Sequence, residues 1–146
     1  WEEQKANDEK HQAHNSILDD LPFALPALTR AYKLQKRCAK VGFDWDNPQS
    51  VFHKVEEELQ EVWNEMVQSP VQAEKLEEEL GDLLFVSTNL CRHYGIDAES
   101  CLRKANAKFE RRFRGVEQLV KSQQKQVSDC SLNELDALWN EIKSRE

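Results

Sequence analysis

Two short acidic patterns carry the chemistry in this sequence: Glu57-Glu58-Leu59-Gln60-Glu61 and Glu79-Leu80-Gly81-Asp82. Residues three apart on a helix lie on one side, so each pattern presents neighbouring carboxylates from a single helix face. The Ser69-Pro70 break lies midway between them, and a chain that folds back there as an antiparallel hairpin is symmetric about position 70. That symmetry sets Glu58 level with Asp82 and Glu61 level with Glu79, at about 14–18 Å from the turn for a rise of 1.5 Å per residue. On a helical wheel Glu79 falls inside an apolar sector between Leu83 and Val86. Asp82 borders Val86, and Glu58 sits beside Val51 and Val62. Carboxylates at a packed interface repel one another and lose hydration, so a compensating charge is required. A hard divalent cation with oxygen ligands supplies it, and Mg²⁺ is the usual one where phosphates complete the shell. The bland alternative is a solvated acidic face, which fits Glu56, Glu65, Glu74, Glu77 and Glu78. A di-iron bundle needs Glu-x-x-His pairs, and none of His11, His14, His53 or His93 follows a Glu by three.

The charge is strongly segregated. From Glu56 to Asp82 ten acidic residues face one basic residue, whereas from Arg103 to Arg114 six basic residues face one acidic one. In the basic stretch Lys108 and Arg112 lie four apart and flank an apolar stripe. A point charge and a planar fork are both suited to phosphate. Trp139 and Lys143 repeat the four-residue spacing near the end of the chain, pairing an aromatic ring with a cation, and Asn106 is a further polar candidate. By spacing alone these residues read equally as a solvated face and a core tryptophan.

The elements that must position these groups are all helical. A first helix is expected from Pro26 to Lys40, stopped by Gly42, and a second from about Ser50 to Gln68. A third is expected from Pro70 to Tyr94, opened by a Ser69-x-x-Gln72 cap with Pro70 at its first position and stopped by Gly95. Its apolar residues Leu76, Leu80, Leu83, Leu84, Val86, Leu90 and Cys91 cover more than half its circumference, which predicts burial on several sides. Asp97 caps a fourth helix with Leu102, Ala105, Phe109, Phe113, Val116 and Val120, and Ser131-x-x-Glu134 opens a last one through Trp139 and Ile142. The fold class is therefore all-α: a helical bundle built around an antiparallel hairpin that carries the acids.

Composition sets the outer limits. With 146 residues, 39% of them hydrophobic and 32% charged, and only 4 Gly and 4 Pro, the chain is too apolar for a disordered tail and too poor in turn residues for a sandwich or barrel. The longest apolar run, Leu83-Leu84-Phe85-Val86, is too short to span a membrane. A net charge of −7 argues against general nucleic-acid binding. Cys38, Cys91, Cys101 and Cys130 form no Cys-x-x-Cys pair and read as reduced thiols of a cytoplasmic protein. Residues 1–20 are polar and read as a linker or the tail of a preceding domain, with 21–146 forming the domain proper. The pattern Trp-x-Glu-x-Lys occurs at Trp1–Lys5 and again at Trp139–Lys143, as if one copy followed another.

With these residues in place, the sequence resembles the MazG family of all-α nucleoside triphosphate pyrophosphohydrolases, and in particular the C-terminal domain of two-domain bacterial members. The likeness rests on the two acidic patterns, on Leu25–Leu28, Lys40–Trp45, Lys75–Phe85 and Lys104–Phe113, and covers nearly everything from Leu21 to Lys143. The resemblance implies that Glu58, Glu61, Glu79 and Asp82 bind Mg²⁺ and that Lys108, Arg112, Trp139 and Lys143 contact a nucleoside triphosphate. It also implies a homodimer, and hydrolysis between the α and β phosphates to a nucleoside monophosphate and pyrophosphate. Glu57 points away from the stripe and is a candidate general base alongside Glu58 and Glu61. Nothing reads a base edge, so broad base tolerance is expected. The rival readings are a helical domain that dimerises or regulates without catalysis, and a dUTPase-like hydrolase with a narrower base pocket.

Overall fold

The computed structural model describes residues 16–146. The described residues form five α-helices: α1 (Ala27–Lys40), α2 (Pro48–Met66), α3 (Ala73–His93), α4 (Ala98–Ser122) and α5 (Leu132–Ser144), with a 3₁₀ turn at Val127–Asp129. No strand occurs among them, and none of these helices is long and apolar enough to cross a membrane. The Trp1–Lys5 half of the repeated pattern lies outside the described residues. The chain divides into two compact units, one ending at Glu99 and the other running from Ser100 to Glu146.

The helix ends show how local sequence sets the frame. After α1, Gly42 takes a left-handed backbone with φ 88°, and the Phe43 amide returns to the Cys38 carbonyl at 3.0 Å. Gly95 ends α3 in the same way, with φ 66° and the Ile96 amide on the Cys91 carbonyl at 2.9 Å. Both are αL caps that a Cβ would strain. The start of α2 lies two residues earlier than expected. Asn47 Oδ1 accepts from the Ser50 amide at 2.9 Å, and Pro48 occupies the first turn, where its missing N–H costs nothing. The start of α3 lies three residues later, at Ala73, and its cap residue Gln72 makes no side-chain bond. Reversing direction between two antiparallel helices takes up residues 67–72, so Ser69 and Pro70 belong to the turn and not to a capping box.

In the first unit α1 and α2 both pack on α3. Leu21, Val51, Val62, Val86 and Ala98 form the buried apolar core. Gln35 of α1 is buried with them and donates through Nε2 to the Phe85 carbonyl of α3 at 2.9 Å, satisfying one of its two polar atoms. Arg37 ties the segment before α1 down by donating to the carbonyls of Ile17 and Asp19. The expected burial of α3 on several sides does not hold within the chain. Val86, Thr88 and Asn89 are buried, but Leu80, Leu84 and Phe85 are exposed, because two helices cover only two sides of a third.

In the second unit Val116 and Val120 are fully buried, and Gly115 lets α5 approach so closely that a Cβ there would lie 2.9 Å from Ile142 Cδ1. Ser131 caps α5 as expected, its Oγ accepting from the Glu134 amide at 3.1 Å.

Candidate metal centre and nucleotide-binding residues

The α2–α3 hairpin brings Glu58, Glu79 and Asp82 together, with one carboxylate oxygen of each within 4.8 Å of the others. Glu58 is buried, Glu79 is half-buried and Asp82 is exposed, so the group opens from the helix interface toward solvent. The Glu79 carboxyl is pushed above the usual carboxylate range, first by desolvation and then by the charges of Glu58, Asp82, Glu61 and Glu78. Glu61 is therefore close enough for Glu79 to feel its charge, although it lies outside the group of three. A set of oxygen-only donors whose like charges act together on Glu79 fits a hard divalent cation.

Glu57 is exposed and lies outside the group of three. It accepts from Lys54 at 3.2 Å, and the same ammonium lies 3.3 Å from Glu58. Hydrogen bonding to Glu57, joined by Glu58, holds the Lys54 ammonium above its ordinary pKa against a smaller opposing effect of burial. No motif singles out Lys54. The available signal is its place four residues before Glu58, where a helix puts two side chains side by side.

The cationic residues belong to the second unit. Arg112 of α4 has a largely covered side chain, 16% exposed, and its guanidinium lies 5.8 Å from the Trp139 ring. The Phe109 ring meets Trp139 from α4 at 5.3 Å, tilted by 45°. Arg112 also forms a two-pronged ion pair with Glu146, a residue that no local pattern marks. Lys108 lies one turn before Arg112, exposed, and Lys143 lies one turn after Trp139, also exposed. Asn106 is exposed on α4.

Residues 46–116 match the MazG nucleotide pyrophosphohydrolase domain, a stretch that holds all four expected metal ligands together with Lys108 and Arg112. The matched stretch is all-α. Over its full 146 residues the chain is 49% identical to the nucleoside triphosphate pyrophosphohydrolase of Escherichia coli K12, of which it covers 56%. It is 38% identical over 143 residues, 98% of its length, to the nucleoside triphosphate pyrophosphohydrolase/pyrophosphatase MazG of Thermotoga maritima, covering 54% of that protein. It is 42% identical over 146 residues to the uncharacterized protein YabN of Bacillus subtilis, covering all of this chain and 29% of that one. The chain thus spans about half the length of the first two relatives.

Proposed function

We propose that this domain is a Mg²⁺-dependent hydrolase that cleaves nucleoside triphosphates, with broad base tolerance, to a nucleoside monophosphate and pyrophosphate. The observation that carries the reading is the convergence of Glu58, Glu79 and Asp82 within 4.8 Å on a hairpin inside the MazG match. The names of the Escherichia coli and Thermotoga maritima relatives support the substrate class.

Glu58, Glu61, Glu79 and Asp82 are the residues that would hold Mg²⁺. When bound, the ion supplies Lewis acidity and neutralises phosphate charge. Lys108, Arg112 and Lys143 bind phosphoryl oxygens and offset the charge that develops on the leaving pyrophosphate. Trp139 stacks on the base or shapes its pocket. Glu57 lies outside the group of three and accepts the proton of the attacking water, while Lys54 restrains its carboxylate beside Glu58. The exposed apolar residues of the hairpin, Leu59, Trp63 and Met66 on α2 and Leu84 on α3, support a homodimer built on that face. Four cysteines outside any disulfide suit a cytoplasmic enzyme acting on free nucleotides.

The test is turnover of several triphosphates with Mg²⁺, with pyrophosphate and orthophosphate assayed separately. The reading requires pyrophosphate as the product from more than one base. Orthophosphate alone would reject cleavage between the α and β phosphates. Activity on dUTP alone would favour a dUTPase-like enzyme.

A further inference from the structure

The α2–α3 hairpin is closed by its own backbone at one end, through the turn at residues 67–72, and not at the other. At that open end α2 begins, α3 finishes, and apolar packing is thin. Of residues 48–57 on α2 only Val51 is buried, and Thr88 and Asn89, which α3 buries near its end, are polar. Phe52 and Tyr94 are exposed, and with Pro48, Gln49, His53 and Leu90 they line a concavity of about 300 Å³ from both helices.

Asp44 ties this end together. It lies in the loop before α2, three residues ahead of the cap Asn47, and reaches the last turn of α3. Its Oδ1 lies 2.6 Å from Arg92 Nη2 and 2.9 Å from His93 Nε2, and it accepts from the Trp45 amide at 2.9 Å. Arg92 in turn donates through Nε to the buried Asn89 at 3.0 Å. The Arg92 and His93 side chains are 12% and 10% exposed, so this clamp is shielded from the screening that weakens surface ion pairs. Burial by itself would raise the Asp44 carboxyl pKa. The bonds from Arg92 and His93 overcome that and hold it below the carboxylate range.

The acids sit midway along the same hairpin, where charge acts in the opposite sense. Glu58 projects from α2, and Glu79 and Asp82 from α3, with oxygens within 4.8 Å of one another, so like charges push the two helices apart. The clamp sets an acid on the α2 side against a guanidinium and an imidazole on α3, and pulls them together. Glu58 follows Asn47 by eleven residues and Asp82 precedes His93 by eleven, about three turns of unbroken helix on each side. Splaying the open end therefore separates Glu58 from Glu79 and Asp82.

We propose that Asp44, with Arg92 as its partner, is a positioning residue for the metal centre: it closes the open end of the hairpin and keeps Glu58 in reach of Glu79 and Asp82 before a cation joins them. This deepens the hydrolase reading and rests on it for the cation. A site already assembled binds its ion more tightly than one that must be drawn together, because the apparent Kd scales inversely with the competent fraction.

The experiment measures the Kd of the full chain for Mg²⁺ by isothermal titration, well below its Tm. Asp44→Ala and Arg92→Ala should each weaken Mg²⁺ by roughly tenfold, as loss of an outer-shell partner does. The double variant should lose no more than either alone. Asp44→Asn, which keeps an oxygen for Arg92, should recover part of the loss. Gly115→Val, which loosens the second unit, should leave the Mg²⁺ Kd unchanged. In the metal-free Asp44→Ala chain, hydrogen exchange should quicken along both helices, at residues 48–58 and 82–93, and Mg²⁺ should reverse most of that change. An unchanged Kd in Asp44→Ala and Arg92→Ala would overturn the proposal and leave the hydrolase reading standing. So would exchange that quickens only in the loop at residues 41–47, or an equal loss in Gly115→Val, since affinity would then follow stability alone. If Asp44→Ala fails to fold, Asp44→Asn decides: a raised Kd is expected, and an unchanged one overturns the proposal. Failure of the unaltered chain to bind Mg²⁺ would overturn the metal centre of the hydrolase reading and this proposal together.

Discussion

Arg112 grips the Glu146 carboxylate with two prongs across 34 residues of chain, Nε donating to Oε1 at 3.1 Å and Nη2 to Oε2 at 2.8 Å. Hydrogen bonding to Arg112, helped by Arg111, holds the Glu146 carboxyl at about 2. A planar guanidinium binds carboxylate and phosphate in the same forked way, so this pair occupies the donors that a phosphate needs.

Glu146→Gln should therefore free Arg112 for anions. Isothermal titration with inorganic tripolyphosphate should show a Kd lower by roughly two- to fivefold, the scale of a partly exposed ion pair. A Kd that is unchanged or higher would mean that Glu146 does not compete for the fork.

The same pair sets a pH dependence with a definite sign. Its folded-state pKa is depressed from 4.5 to about 2, so its stabilisation is present above pH 4.5 and is lost as pH falls toward 2. Thermal unfolding of the native chain and of Glu146→Gln should converge as the pH drops through that window. A gap that stays constant would remove Glu146 as the cause.

The acid cluster predicts two effects of opposite direction from one substitution. Glu79 carries a raised pKa, so its stabilising effect is present at low pH and is lost as pH rises through the folded value. Asp82→Asn removes one of the charges acting on Glu79 and should raise the Tm of the metal-free chain at neutral pH. The same change should cancel the Tm increase produced by Mg²⁺. Differential scanning fluorimetry with and without Mg²⁺ reads both. Glu61→Ala should also lower turnover, by roughly a hundredfold or more, although its oxygens lie outside the group of three.

Gly115 tests the packing of the second unit. The nearest atom to a Cβ at this position is the end of a flexible side chain, Ile142 Cδ1, so Gly115→Ala should change stability by less than ~1 kcal/mol, the helical gain of Ala offsetting the crowding. Gly115→Val should cost about 1–3 kcal/mol by overpacking, measured by urea unfolding.

Local chemistry makes much of this molecule legible. Ser131 with Glu134 and the left-handed Gly42 and Gly95 act through neighbours a few residues away, and the structure places them as the sequence implies. Glu58, Glu79 and Asp82 can be paired because two helices joined by a short turn have only one antiparallel register. The start of α3 is ambiguous in sequence because Ser69-Pro70 satisfies the rules for a helix start and for a turn alike. The exposure of Leu84 and Phe85 is illegible because periodicity shows which face is apolar and not what covers it. Glu146 reaching Arg112, and Asp44 reaching Arg92 and His93, depend on contacts 34 and about 50 residues apart, which no local pattern encodes.

The most direct test of the proposed reaction is hydrolysis of ATP with Mg²⁺ in ¹⁸O-labelled water, followed by mass spectrometry of both products. One pyrophosphate is expected for each monophosphate, with the label in the monophosphate. Label in pyrophosphate would place the attack on the β phosphorus, and release of orthophosphate with ADP would place the cleavage at the wrong bond. Either result would contradict the proposed chemistry.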